Sequence, residues 1–262
     1  MYNFWIQTWS HYKGLYDWLH PRGYIANVIG TPVMMVLMYA MLGRYALDPA
    51  SSAYFAIGMN VSTMGYNIIS ALTMSYANDR WYSMLTFLYI TKANRFLNFL
   101  SRCIPHYSTG LVSFVTGMVM IKLITPVDFG AVNWTGLIVA TLVVNASILA
   151  FAQFLGIFSI VFTEWLNTLA FSLGVTFILC GFVLPFDLFP PAVQEIGKLL
   201  PMTNGLFAIR AAFDGAAFST FYFDIIREAL TGIAYFIIGY YCFILFERVV
   251  KRSGSLEREQ FG

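Results

Sequence analysis

The feature that most constrains this chain is a succession of apolar runs, each close to the length of a membrane span, separated by short polar or proline-bearing breaks. The runs are continuous rather than alternating residue by residue. That suits helices, which satisfy their own backbone N–H and C=O groups in lipid, and argues against the strands of a barrel. The sequence therefore predicts spans over 24–43, 53–76, 103–125, 134–161, 165–184 and 225–246. Composition agrees, with 59% hydrophobic and only 11% charged residues, against roughly 45–50% and 25% in soluble domains. The expected fold is an all-α integral membrane protein, one transmembrane domain over 1–262 with six transmembrane helices.

The segments between the runs carry the remaining information. Over 1–22, Trp5, Trp9, Tyr12, Tyr16 and Leu19 recur at helical spacing. Tryptophan favours the headgroup layer, so this reads as an amphipathic interfacial helix; a helix packed on a soluble partner is the other reading. Polar and charged residues such as Lys13 and Asp17 interrupt the compact apolar core that a cleaved signal needs. Gly58 with Ser62, and Ala170 with Gly174, give small residues one turn apart, where another helix can approach closely. The segment 78–102 holds Asp79, Arg80, Lys92, Arg95 and Arg102 among Trp81, Tyr82 and Leu85. It is too charged to span and too apolar to float free.

Residues 185–217 form an unusual insertion before the last run, with Pro185, Pro190, Pro191 and Pro201. Pro190 and Pro191 suit a helix start, where a missing N–H costs nothing, and Val193, Ile196 and Leu200 then share a face. Pro201 ends that helix. Thr203 or Asn204 can cap a second one, along which Leu206, Ile209 and Phe213 repeat until Gly215. A re-entrant pair of short helices at a membrane surface is expected here.

Orientation follows from the basic residues. With six spans both termini share a side, and that side holds ten of the 15 lysines and arginines, including Lys13, Arg80, Lys92 and Arg102. The positive-inside rule then places the termini, the 78–102 linker and the 247–262 tail in the cytoplasm, with 185–217 outside. The net charge of +2 is too small to suggest a nucleic-acid partner.

Chemistry-bearing residues are sparse. Cys103, Cys180 and Cys242 lie far apart with no metal-ligand spacing and read as small apolar packing residues, so no metal is expected. Ser101, Cys103 and His106 cluster at the start of the third span, where a nucleophile–base pair is conceivable, but no orienting carboxylate stands at a recognisable spacing. His106 as a packing or interfacial residue is the simpler reading. Arg227 and Glu228 fall at the edge of the sixth span, as snorkelling end residues or as part of an ion path. The chain has no phosphate-cradling G-x-x-x-x-G-K-[ST] loop.

The ordered series Gly181, Pro185, Leu188-Phe189-Pro190-Pro191, Leu200-Pro201, Ala208-x-Arg210 and Gly215 resembles the signature of the type-2 ATP-binding-cassette (ABC) exporter permeases. The match covers about 35 residues. It implies a permease with re-entrant outer helices, in which Pro185, Pro190, Pro191, Pro201 and Arg210 belong to an extracytoplasmic gate. It also implies that 78–102 carries the coupling helix that docks on an ATPase, with Asp79, Arg80, Trp81, Tyr82 and Leu85, and Glu164 in the next cytoplasmic turn, as contact residues. The family's usual Gly-Thr-Leu after the acidic–basic pair is replaced here by Trp81-Tyr82-Ser83-Met84-Leu85.

The resemblance further implies that the chain is not itself an enzyme and binds no cofactor. ATP and Mg would reside on separate cytoplasmic ABC ATPase subunits, and a second permease copy would complete a homodimer or heterodimer in the plasma (inner) membrane. Within the family the outer segment is more similar to multidrug, antibiotic and peptide exporters, because Leu200-Pro201 stands where polysaccharide exporters have Asn-Pro. A hydrophobic or amphipathic small molecule or peptide is the expected cargo, carried along a path lined mainly by the second and fifth spans. A lipid-linked glycan or lipid is the alternative, and a non-ABC channel or ion-coupled carrier a further one.

Overall fold

The structure, a computed structural model, describes residues 2–18, 21–46, 51–81, 95–161 and 165–253. It is helical throughout the described elements. Helix α1 is Tyr2–Trp18. Helix α2, Pro21–Ile25, a π-helical turn at Ala26–Gly30 and α3, Thr31–Ala46, run on as one rod. The π turn accommodates Pro32. Proline removes one N–H and crowds the preceding turn, and the wider turn, closed by Thr31 N–H to the Ala26 carbonyl, absorbs both within the helix.

Next come α4, Ser51–Trp81, then α5, Arg95–Ser101, and α6, Cys103–Ile124. They are followed by α7, Trp134–Val161, and α8, Trp165–Leu179. A 3-10 turn at Phe186–Leu188 leads to two short helices, α9 (Pro191–Lys198) and α10 (Thr203–Phe213). The last described helix is α11, Phe218–Ser253.

Four stretches among the described residues are long and apolar enough to cross a membrane: Arg22–Tyr45, Cys103–Ile124, Trp134–Ser159 and Phe218–Leu245. The chain is thus built as a multi-pass membrane protein. Helix α4 has the length but not the hydropathy, because Asn60, Thr63, Asn67 and Thr73 interrupt it. Those same residues are buried, along with Met64, Ile68, Ile69 and Leu72. Helix α4 is the inner helix of the bundle, and the Asn60 and Asn67 amides and the Thr63 and Thr73 hydroxyls donate to protein acceptors rather than facing lipid.

Asn60 Nδ2 donates to the Phe114 carbonyl at 3.1 Å and Asn67 Nδ2 to Ser113 Oγ at 2.9 Å, both on α6. On its other side α4 meets α7, where Ser159 Oγ donates to the Thr73 carbonyl at 3.1 Å and the Tyr76 hydroxyl donates to Gln153 Oε1. Helix α7 in turn packs along α11, with Gly232 set against Ser147 and Tyr235 edge-on to Phe151 at 4.9 Å. Helices α3 and α11 cover this centre and leave apolar outer faces such as Met34, Met38, Leu230 and Ile233 exposed, as lipid-facing helices do. The N-terminal helix α1 lies against α5, joined by a 2.9 Å hydrogen bond between His11 Nε2 and Asn98 Oδ1. Trp5 and Trp9 remain exposed on it.

The short helices depart from the sequence reading in two respects. Pro190 and Pro191 do open α9, and Leu206, Ile209 and Phe213 of α10 are buried as expected. Ile196 of α9, however, is 55% exposed, and the residue that α9 turns inward is Gly197, which sits on the Leu179 carbonyl and the Phe186 ring. Neither Thr203 nor Asn204 caps α10 with its side chain. The N-cap is Met202, in the left-handed region at φ 81°, and Asn204 Nδ2 points back to the Lys198 carbonyl at 3.0 Å. At the other end Gly215, at φ 72°, closes α10 as anticipated. Its N–H bonds to Ala212 and the Ala216 N–H to Ala211, the paired bonds of a Schellman turn.

Candidate functional site

Helix α8 lies at the edge of the bundle and makes few contacts with α4, leaving a cleft of about 250 Å³ between them. Ser62, Tyr66 and Ile69 line it from α4, and Leu173, Gly174, Thr176 and Phe177 from α8. Phe182 and Met202 close one end. The lining bears hydroxyl, aromatic, aliphatic and thioether groups and no charge. Such a surface accommodates an apolar or amphipathic body and offers hydrogen bonds only through Ser62, Tyr66 and Thr176. Gly174 has no neighbour within 4 Å of where a Cβ would stand, and Phe171, one turn away, is 74% exposed, so the cleft opens to the side of the molecule.

Two charged side chains fix the closed end. Arg210, on α10, spreads its guanidinium over three carbonyls. Nη1 donates to Gly181 at 3.1 Å, and Nη2 to Phe182 at 2.9 Å and Tyr54 at 3.4 Å. Two carbonyls in the turn that follows α8 are thereby satisfied, and a cation sits beyond that helix's C-terminus, where the dipole is negative. The start of α4 is drawn in as well. Gly58 makes this closeness possible, since a Cβ there would overlap the Phe182 carbonyl oxygen. Burial pulls the Arg210 pKa down from its usual value to about 10, so the group stays cationic at neutral pH.

Glu228 holds the other end of α10. It is fully buried on α11, about 15 Å along that helix from Phe218 at 1.5 Å per residue, and is therefore no snorkelling end residue. Oε1 accepts the Met202 N–H at 2.8 Å and Oε2 the Gly205 N–H at 3.0 Å. The first turn of α10 is thus capped by a carboxylate from another helix. Gly205 is required for this approach, because a Cβ would strike Val144 of α7. Arg227 beside it points elsewhere, 65% exposed and 3.7 Å from Asp224.

Of the gate residues expected from sequence, Pro185 precedes the 3-10 turn, Pro190 and Pro191 open α9, and Pro201 precedes the left-handed Met202. All lie in the one segment that closes the cleft, and Arg210 is the residue of that set which ties it to the start of α4 and the turn after α8. Of the coupling residues, Asp79, Arg80 and Trp81 form the last turn of α4, described in their backbone only. Tyr82, Leu85 and Glu164 lie outside the described residues.

The cluster at the start of α6 is structural in its contacts. The Cys103 thiol receives a hydrogen bond from Gln153 Nε2, which ties α6 to the same glutamine that Tyr76 contacts. Ser101 Oγ donates to the Asn98 carbonyl at 2.7 Å. His106 is buried beside Arg102, whose guanidinium binds Ser75 and lies over the Tyr76 ring. Among the described residues no three His, Cys, Asp or Glu side chains converge as a metal site would require. Compared with protein-family models and with curated proteins, the chain matches none.

Proposed function

We propose that this chain is the permease subunit of an ATP-driven exporter, similar to the type-2 ABC exporters, for a hydrophobic or amphipathic small molecule or peptide. The observation that carries the reading is the uncharged cleft between α4 and α8, closed at one end by the segment that bears the proline series and Arg210. In this account α4 and α8 complete six spans, and residues 185–217 form the re-entrant extracytoplasmic gate. The laterally open cleft faces its counterpart on a second permease copy, and the termini lie in the cytoplasm of a plasma membrane. The last turn of α4, with Asp79 to Trp81, leads directly from the cleft-lining helix into the segment that engages the ATPase. ATP binding would move α4, and α4 carries one wall of the cleft.

Inverted membrane vesicles from cells with and without the chain test this directly. ATP-dependent accumulation of a fluorescent amphipathic dye should require the chain and fall when Ser62→Trp fills the cleft. Accumulation that persists in Ser62→Trp, or that runs without ATP, would contradict the reading.

A further inference from the structure

One buried ionisable group acts on the closed end of the cleft without lining it. Glu228 is enclosed between α7, α10 and α11, and among the described residues no lysine or arginine pairs with it. An intramembrane carboxylate is costly to keep, so what it contacts indicates what it is for. Its carboxyl accepts from two backbone N–H groups at the start of α10 and lies beside the Ser147 hydroxyl of α7.

Met202 supplies the first of these, and among the described residues it is the one non-glycine residue at positive φ. A side chain in the left-handed region is strained and persists when its surroundings hold it. Here the hold is the Glu228 oxygen on its N–H, together with its own carbonyl accepting the Leu206 N–H at 2.7 Å. The outcome of the strained backbone is the direction of the side chain. The Met202 thioether is turned onto Gly65 of α4, where any Cβ would overlap it, and stands in the wall of the cleft.

We propose that Glu228 is a positioning residue through which the last span controls the cleft: its carboxylate fixes Met202, and the Met202 thioether sets the width of the closed end. Its functional consequence rests on the cleft being the transport pathway. The coupling itself does not. Both oxygens are used as acceptors, so the isosteric amide is a poor replacement. Gln can offer one oxygen, but its NH2 must then meet the second N–H donor against donor. Helix α11 is seated on α7 at Gly232 and Ser147, one turn beyond Glu228. A shift of α11 against α7 would therefore reach Met202 through one side chain.

The test is the labelling rate of a cysteine placed in the cleft, Ser62→Cys, by a small maleimide, in the full chain in its membrane. It is read above the rate of the parent with its three native cysteines. Glu228→Gln and Glu228→Ala should each speed labelling by about tenfold, the population change expected when a hydrogen bond to a charged acceptor is lost. Met202→Ala should do the same with Glu228 intact. The double variant Glu228→Gln with Met202→Ala should be no faster than Met202→Ala alone.

Parental labelling in Glu228→Gln, with helical circular dichroism and elution volume unchanged, would overturn the proposal, as would multiplying effects in the double variant. Should Glu228→Ala fail to accumulate, Glu228→Gln and Met202→Ala still decide the matter. No ATPase enters the measurement, so loss of the exporter reading and loss of this coupling would be seen separately.

Discussion

The guanidinium of Arg210 stacks on the Tyr54 ring at 3.5 Å while its Nη2 reaches the Tyr54 backbone carbonyl. One side chain on a short helix thereby fixes the beginning of the innermost helix, α4, to the end of α8. A cation over an aromatic face and three carbonyl acceptors satisfy most of what a buried guanidinium needs.

Arg210→Ala should destabilise the protein by about 2–4 kcal/mol, since it strands buried carbonyls as well as removing the stack. Arg210→Lys keeps a charge but not the fork and should recover only part of this. Thermal unfolding in detergent measures both. Because the Arg210 pKa, though lowered by burial, lies at about 10, the guanidinium is charged in folded and unfolded chains alike below that value. No proton is then exchanged on folding, and the Arg210→Ala deficit should be constant from about pH 6 to about pH 9.

Two glycines on the cleft helices should respond oppositely. Gly58→Ala forces a methyl into the Phe182 carbonyl and should cost about 1–3 kcal/mol. Gly174→Ala meets nothing within 4 Å and, inside a helix, should stabilise the isolated chain by about 0.5–1 kcal/mol. Paired melting curves of the two variants check the contrast. In the proposed dimer Gly174 faces the partner copy, so a Gly174→Ala variant that melts higher should nonetheless export less.

Much of this was legible in the sequence. Apolar runs marked the helices, the Pro190-Pro191 pair marked the start of α9, and Gly215 marked the end of α10. Each is a local rule acting over a few residues. Ile196 misled because helical spacing gives a face but not what the face meets, and here the close contact belongs to Gly197. Glu228 was misread for a related reason. Beside Arg227 at the edge of an apolar run it has the pattern of a solvated pair, whereas its partners are backbone groups on another helix, which no side-chain pattern encodes. The sequence offers Thr203 and Asn204 as local caps, and it carries no signal that the cap comes from another helix.

Gln153 links three helices, accepting from Tyr76 on α4 and donating to Cys103 on α6 from its place on α7. Gln153→Leu removes both bonds and leaves the Tyr76 hydroxyl buried without that partner. Interhelical hydrogen bonds in membranes average about 0.6 kcal/mol, so a loss of about 1–2 kcal/mol is expected. Adding Tyr76→Phe should restore part of it, because the hydroxyl that loses Gln153 is then gone; a double-mutant cycle read by thermal melting measures the coupling.

The central claim is that an ATPase drives this chain through the segment following α4. Its most direct test is purification of the chain from its native membrane in mild detergent, with ATP hydrolysis assayed in what accompanies it. The account predicts a stoichiometric ATPase, lost when residues 79–85 are replaced by a flexible linker while the chain still folds. A chain that purifies alone under several extraction conditions, or an ATPase that stays bound after that replacement, would contradict it.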